Sequence, residues 1–292
     1  LSTPFSPLTT GLRRPPATAI RIAVCVLICW ACSFAQAQEF RISTRVYNQA
    51  PTGDHKRPPV ISRSLSLFHA GKVYDYIDTI NEVIIFEPAH RRFTILNPSR
   101  NLASSLHFDE LKRMQKIRAR ETNKYLSQLA RSGDPESNRV SETLRFQLQP
   151  TFEERFEKTN NRLTLSAAPV QYSALCVEPK STGIIGPYLH YADWMAKLNS
   201  TLHPQALYPE SRLALNRSLR NRNRLPIEVE LRCQVEPHLH LRAQHTFVWR
   251  LDDVDRRLIH KWESMLKRTS LERATFREYQ RRLLVTASPK TR

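Results

Sequence analysis

The histidines and arginines of the C-terminal half are the residues whose types and spacing best suit chemistry. His238 and His240 stand two apart on a strand-like run, hence on one face, where a metal could be chelated. That face continues with Arg242, Gln244 and Thr246 and offers no carboxylate in phase, which favours exposed histidines that ligate nothing. His245 falls on the opposite face, among Leu239, Leu241, Phe247 and Trp249. It reads either as a buried neutral ring satisfied by the backbone or as a polar group in a ligand cavity. His190 with Asp193, and His107 with Glu110, stand three apart on helical runs and have the types of an acid–base pair. Such pairs are also common on solvated helix faces. No serine or cysteine is placed by sequence to complete a nucleophilic triad.

Arginine supplies the broader signal. Arg212, Arg217, Arg220, Arg222 and Arg224 occur within 13 residues with no acid between them. Guanidinium groups so clustered can fork onto phosphate or carboxylate. Near the C-terminus, Arg273, Arg277 and Arg281 recur every four residues opposite Leu271, Tyr279 and Leu283. On a helix that stripe suits an anionic membrane or polymer; a plain solvated face is the simpler reading of both groups.

The missing motifs narrow the field. Five glycines lie beyond residue 37, none in a phosphate-cradling loop or dinucleotide fingerprint. G-x-S-x-G, H-E-x-x-H, C-x-x-C and EF-hand patterns are also missing. The sequence calls for no metal and no cofactor.

Residues 21–37 set the compartment. Arg13, Arg14 and Arg21 precede an apolar run of about 13 residues that ends in Ala35-x-Ala37, the pattern of a secretory signal peptide. A bilayer span takes about 20 apolar residues, so cleavage near Ala37 and export to the periplasm or cell exterior are expected. Cys25, Cys29 and Cys32 would leave with the leader, and Cys176 and Cys233 remain, either as one disulfide or as two buried thiols. Of the formal net charge of +18, +15 lies beyond residue 37. Outside the cytoplasm such a charge meets lipid head groups or acidic polymers rather than nucleic acid.

The elements that must position these residues alternate along the chain. Period-two patterns predict six short strands between Phe40 and Leu106, then a helix opened by Asp109 and a polar linker at 132–141. Strands follow at 144–148, 152–157, 162–166 and 170–177, helices at 187–200 and 209–220, and a strand pair at 227–235 and 239–249. Asp252, Asp253 and Asp255 open a helix with Val254, Leu258, Trp262 and Met265 as its buried stripe. Thr269 with Glu272 reads as the capping box of a last helix. The fold class is α+β, a curved antiparallel sheet or half-open β-barrel of about eleven strands covered by helices. One domain spans 38–268, in lobes 38–131 and 142–268, with a basic helix and tail at 269–292.

Within this pattern, Gly71-Lys72-Val73-Tyr74, Glu82-Val83-Ile84-Ile85-Phe86-Glu87-Pro88 and Ile95-Leu96-Asn97 resemble the hairpins of the periplasmic lipoprotein-carrier (LolA/LolB-like) superfamily. The chain also looks like uncharacterised secreted bacterial proteins of similar length. The resemblance covers residues 67–98 and carries no catalytic residues. It implies an unclosed barrel with helices as a lid over an apolar cavity. The leading expectation is therefore a non-enzymatic envelope protein binding a lipid or amphiphile. Helices 188–200 and 253–266 would cover the cavity, and His245, Trp249, Arg217, Arg220, Arg222 and Arg224 would serve the ligand. The alternatives are a basic protein that holds anionic envelope polymer or membrane, and a motif-free hydrolase using His245, His190 or Asp193.

Overall fold

Alternating side chains from Phe40 onward form six strands, each hydrogen-bonded to the next: β1 (Phe40–Asn48), β2 (Val60–His69), β3 (Lys72–Ile77), β4 (Glu82–Glu87), β5 (Arg92–Asn97) and β6 (Leu102–His107). The reversals need left-handed backbone, which Ala70 and Gly71 (φ 49° and 74°), Asn81 (48°) and Asn101 (49°) provide. The structure, a computed structural model, describes residues 39–49, 58–181, 183–203, 206–234 and 238–287. The expected signal segment, the turn at Glu236 and Pro237, and the chain from 288 onward lie outside the described residues.

The second half contributes α1 (Phe108–Ser132), α2 (Pro135–Leu148), β7 (Glu153–Glu157), β8 (Arg162–Ser166), β9 (Val170–Val177), α3 (Ile185–Leu202), α4 (Glu210–Asn221), β10 (Leu225–Cys233) and β11 (Leu239–Val248). It closes with α5 (Asp253–Leu266), β12 (Glu272–Ala274) and α6 (Phe276–Ala287). β11 pairs antiparallel with β1, from Arg41 opposite Val248 to Asn48 opposite Leu241. That ladder fuses both halves into one twelve-stranded sheet in the order β12-β6-β5-β4-β3-β2-β1-β11-β10-β9-β8-β7. Its edges do not meet, so the α+β class and curved open sheet are as expected. Residues 38–292 form one compact unit.

Four local expectations are corrected. The expected linker shrinks to Gly133 and Asp134, and residues 135–148, including the expected strand at 144–148, are a single helix, α2, because Asp134 accepts from the Ser137 amide (2.9 Å) and Pro135 occupies the first turn. The capping box lies six residues later than expected: Thr275 and Glu278 bond each other's amides, and Glu272 instead joins β12 beside β6. Arg273 is therefore a strand residue, and the four-residue arginine stripe does not exist as one helical face. The C-terminal helix packs on the main core through the buried Phe276 and Tyr279, while the tail from 288 onward lies outside the described residues. Cys176 and Cys233 are buried and are not joined in a disulfide. Cys176 pairs in register with Pro226 and Cys233 with Val170, which separates the two thiols by roughly 23 Å of strand. Burial pushes the Cys176 thiol up to about 11.

Both sheet faces are covered. On the inner face, α3 buries Tyr188, Leu189, Tyr191, Trp194, Met195 and Leu198 against Phe40, Phe68, Phe86 and Phe93 of the strands. Trp194 stacks on Phe108 at the start of α1, with 3.7 Å between ring centroids. On the outer face, α5 buries Ile259, Trp262 and Met265 against Leu67, Tyr74, Val83, Ile85 and Leu96. Val254 is exposed instead of joining that stripe. The helix at 253–266 thus lies on the opposite side from α3 and does not help cover an inner cavity.

The α5 N-terminus is fixed by charge. Asp252 and Asp255 form a capping box, and Arg41 of β1 donates to both, at 2.9 Å and 3.1–3.2 Å. Asp255 is buried, so its loss removes a cap and strips Arg41 of its inner partner. Asp255→Ala is expected to cost about 2 kcal/mol or more in urea denaturation; a change below about 0.5 kcal/mol would contradict this account of the cap.

Candidate functional site

The inner face is packed solid by aromatic rings except at its centre. There the strands present small residues, Thr44 on β1, Ser64 and Ser66 on β2 and Ala243 on β11, and α3 answers with Ala192 and Ala196 one turn apart. Small groups facing small groups leave a cavity of about 280 Å³, completed by Ile42, Val46, Tyr188, Tyr191, Met195, Asn199, Arg212 and His245. The cavity is open to solvent, and Asn199 of its lining is exposed.

His245 is the expected site residue that the structure places here. The β1–β11 ladder sets it opposite Thr44, whose Oγ1 lies 2.9 Å from Nδ1. Nε2 is buried and has no partner. Whichever nitrogen carries the proton, the ring keeps unmatched hydrogen-bonding capacity inside the protein. Burial, with a smaller contribution from the Arg212 charge, pushes its pKa down to about 3. Histidine is thus neutral here at physiological pH.

Arg212 is the second polar group. Its Nε donates to Asn216 (3.1 Å), and its charge opposes the rise that burial imposes on the Tyr172 and Tyr188 hydroxyls. No carboxylate among the described residues pairs with it, in contrast to its neighbours in the arginine cluster. Arg220 pairs with Asp193 (2.7 Å), Arg222 with Glu154 (2.6 Å) and Arg224 with Glu178 (2.8 Å). Those three tie α4 and the loop after it to α3, β7 and the end of β9. Arg217 is exposed on α4. Trp249 stacks on Phe247 and tilts against Phe40 beside the cavity without lining it.

Behind the cavity wall, Ser66 donates to Asp75 (2.7 Å) and lies 3.5 Å from the Tyr191 hydroxyl. Asp75 is buried with no cation beside it, and desolvation raises its pKa. The cavity therefore has the Ser66 side, backed by Asp75, and the Arg212 side, with Ile42, Val46, Met195 and three alanines between.

His190 and Asp193 do not converge with His245. His190 accepts from the Trp194 indole (3.0 Å), and Asp193 accepts from Asn216 (2.8 Å) and Arg220. Neither lines the cavity that holds His245. His240 contacts Glu230 (2.6 Å) across the β10–β11 ladder, and among the described residues no cluster of three or more metal-ligating side chains occurs. Arg273 caps α5 by donating to the Leu266 carbonyl (2.7 Å); Arg277 and Arg281 are exposed on α6.

A larger open groove, about 800 Å³, lies on the outer face between α5 and strands β3–β6. Its charged groups largely satisfy one another. Glu87 is held by Arg92 (2.8 Å), Lys72 (3.4 Å) and Thr94 (3.1 Å), and Glu263 by Tyr74 (2.6 Å) and Lys72 (3.5 Å). That network reads as the attachment of α5. The inner cavity is the stronger site because it sets the unpartnered His245 Nε2 beside an arginine that no carboxylate among the described residues pairs.

Comparison with protein families and with curated proteins returned no match.

The His245 geometry has a consequence for pH. Its folded-state pKa lies below the ordinary 6.5, so the native state binds fewer protons than the unfolded chain. The stability held by the neutral ring is whole above pH 6.5 and is lost as pH falls towards 3, at about 1.4 kcal/mol per pH unit. Denaturant titrations at pH 7 and pH 5 are expected to show His245→Gln losing less stability on acidification than the parent. Equal losses would contradict the buried, neutral assignment.

Proposed function

We propose that this protein is an exported, non-enzymatic envelope protein that binds a small anionic amphiphile in the cavity between α3 and the central strands. One observation carries the reading: Arg212 faces a partly apolar cavity without a carboxylate partner among the described residues, beside a buried His245 Nε2 that has no hydrogen-bond partner. An anionic head group would accept from both. Ile42, Val46, Met195 and the alanines would take a short apolar tail. The volume sits near the lower end of ligand pockets, which run from about 300 to 1,000 Å³, so the ligand is smaller than a full lipid. The unclosed sheet and the helix over its inner face agree with what the hairpin resemblance to periplasmic lipoprotein carriers implies, and a signal segment at 1–37 would place the work outside the cytoplasm.

Isothermal titration with octanoate, octyl phosphate and octanol tests this reading. Charge-assisted hydrogen bonds are worth about 1.5–3 kcal/mol, so both anions are expected to bind about tenfold or more tightly than octanol. Arg212→Gln is expected to erase that preference. Ala192→Leu is expected to abolish binding of all three while leaving the circular dichroism unchanged. Equal affinity for octanol and octanoate, or an Arg212→Gln variant with parental selectivity, would reject the proposal.

A further inference from the structure

α1 presents a second surface, separate from the cavity. At 100° per residue, Arg113, Lys116, Ile117, Arg120, Lys124 and Arg131 fall within about 100° of one another around the helix axis. Phe108, Leu111 and Leu126, the buried residues of α1, lie on the opposite side. The stripe is solvent-exposed along its length and runs for about 27 Å. Lys124 pairs with Glu121 (2.8 Å), whereas Arg113, Lys116, Arg120 and Arg131 meet no carboxylate among the described residues. Ile117 sits amid these cations and is 52 % exposed.

We infer that this face of α1 docks onto an anionic phospholipid bilayer. Cations along one side of a surface helix with an apolar side chain among them are what an interfacial helix presents to acidic head groups. A soluble polyanion would use the cations and have no use for Ile117. The orientation is fixed by the fold: the far side of α1 is held to α3 by the Phe108–Trp194 stack and by Gln115 and Arg118, which donate to the Lys197 and Ser200 carbonyls at 3.2 and 2.6 Å. The surface is thus rigid, and it stands independently of what the cavity binds.

Flotation of residues 38–292, the compact unit that holds the whole sheet, with vesicles of phosphatidylcholine alone or with 30 mol% phosphatidylglycerol tests the inference. Binding is expected only to the anionic vesicles and is expected to collapse in 0.5 M NaCl. Each cation near such a surface is worth about fivefold in affinity. The triple variant Arg113→Glu, Lys116→Glu, Arg120→Glu is therefore expected to lose about a hundredfold or more. Ile117→Ser is expected to lose severalfold, and Arg277→Glu with Arg281→Glu to lose little. The inference is overturned if the triple variant floats like the parent or if the α6 variant is the one that fails. It is also overturned if the protein holds dextran sulfate, indifferent to Ile117→Ser, and ignores the vesicles.

Discussion

The β1–β11 ladder is the constraint on which the rest of the structure depends. It joins residues about two hundred positions apart, so its loop-closure cost must be met by the contacts that it makes possible. Without it the chain would be two separate meanders. With it, Phe40 and Ile42 come beside Phe247, and Thr44 comes beside His245. The cavity floor exists only because these strands are neighbours. A one-residue slip of β11 would turn His245 to the outer face and close the site.

Around that ladder the inner face divides its work by side-chain size. Towards β5 and β6, the rings of Phe86, Phe93, Phe108 and Trp194 interlock, and they leave no room for a ligand. At the centre, Thr, Ser and Ala residues hold the helix and the sheet apart from full contact. Buried polar groups follow the same division. Glu82, near the packed end, is answered by the Tyr279 hydroxyl from α6. Ser66 answers Asp75 at the cavity wall, while the His245 Nε2 goes unanswered. His245 Nε2 and Arg212 meet in the same pocket, and that coincidence argues for an occupant.

Much of the sheet was legible in the sequence because strands alternate with a period of two, and most hairpin turns carry Gly or Asn where left-handed backbone is needed, Arg91 between β4 and β5 being an exception. The phase of β11 put His245 on the face of Leu239, Leu241, Phe247 and Trp249, whereas its pairing with Thr44 across the β1–β11 ladder is long-range and was not legible. The errors fell where two local rules compete. Asp134 and Pro135 start a helix that overrides the strand-like run at 144–148, and Thr275 with Glu278 displaces an equally good box at Thr269. The arginine cluster misled for a different reason: pairing with Asp193, Glu154 and Glu178 is long-range, so sequence spacing could not separate the neutralised guanidinium groups from Arg212. The missed residues, Tyr188, Tyr191, Asn199 and the floor serines, left one faint signal. Ala192 and Ala196, four apart on an otherwise bulky helix face, mark a place where the helix does not fill its contact.

The account stands on the cavity being built for an anionic guest rather than being an imperfectly packed core. Native mass spectrometry of the protein purified from its own cells, beside the Ala192→Leu variant, tests that claim most directly. The account predicts a small adduct on the parent that acid releases as an anionic amphiphile, and a bare mass for the variant. A bare mass for both, with the variant merely more stable to denaturant, would contradict it.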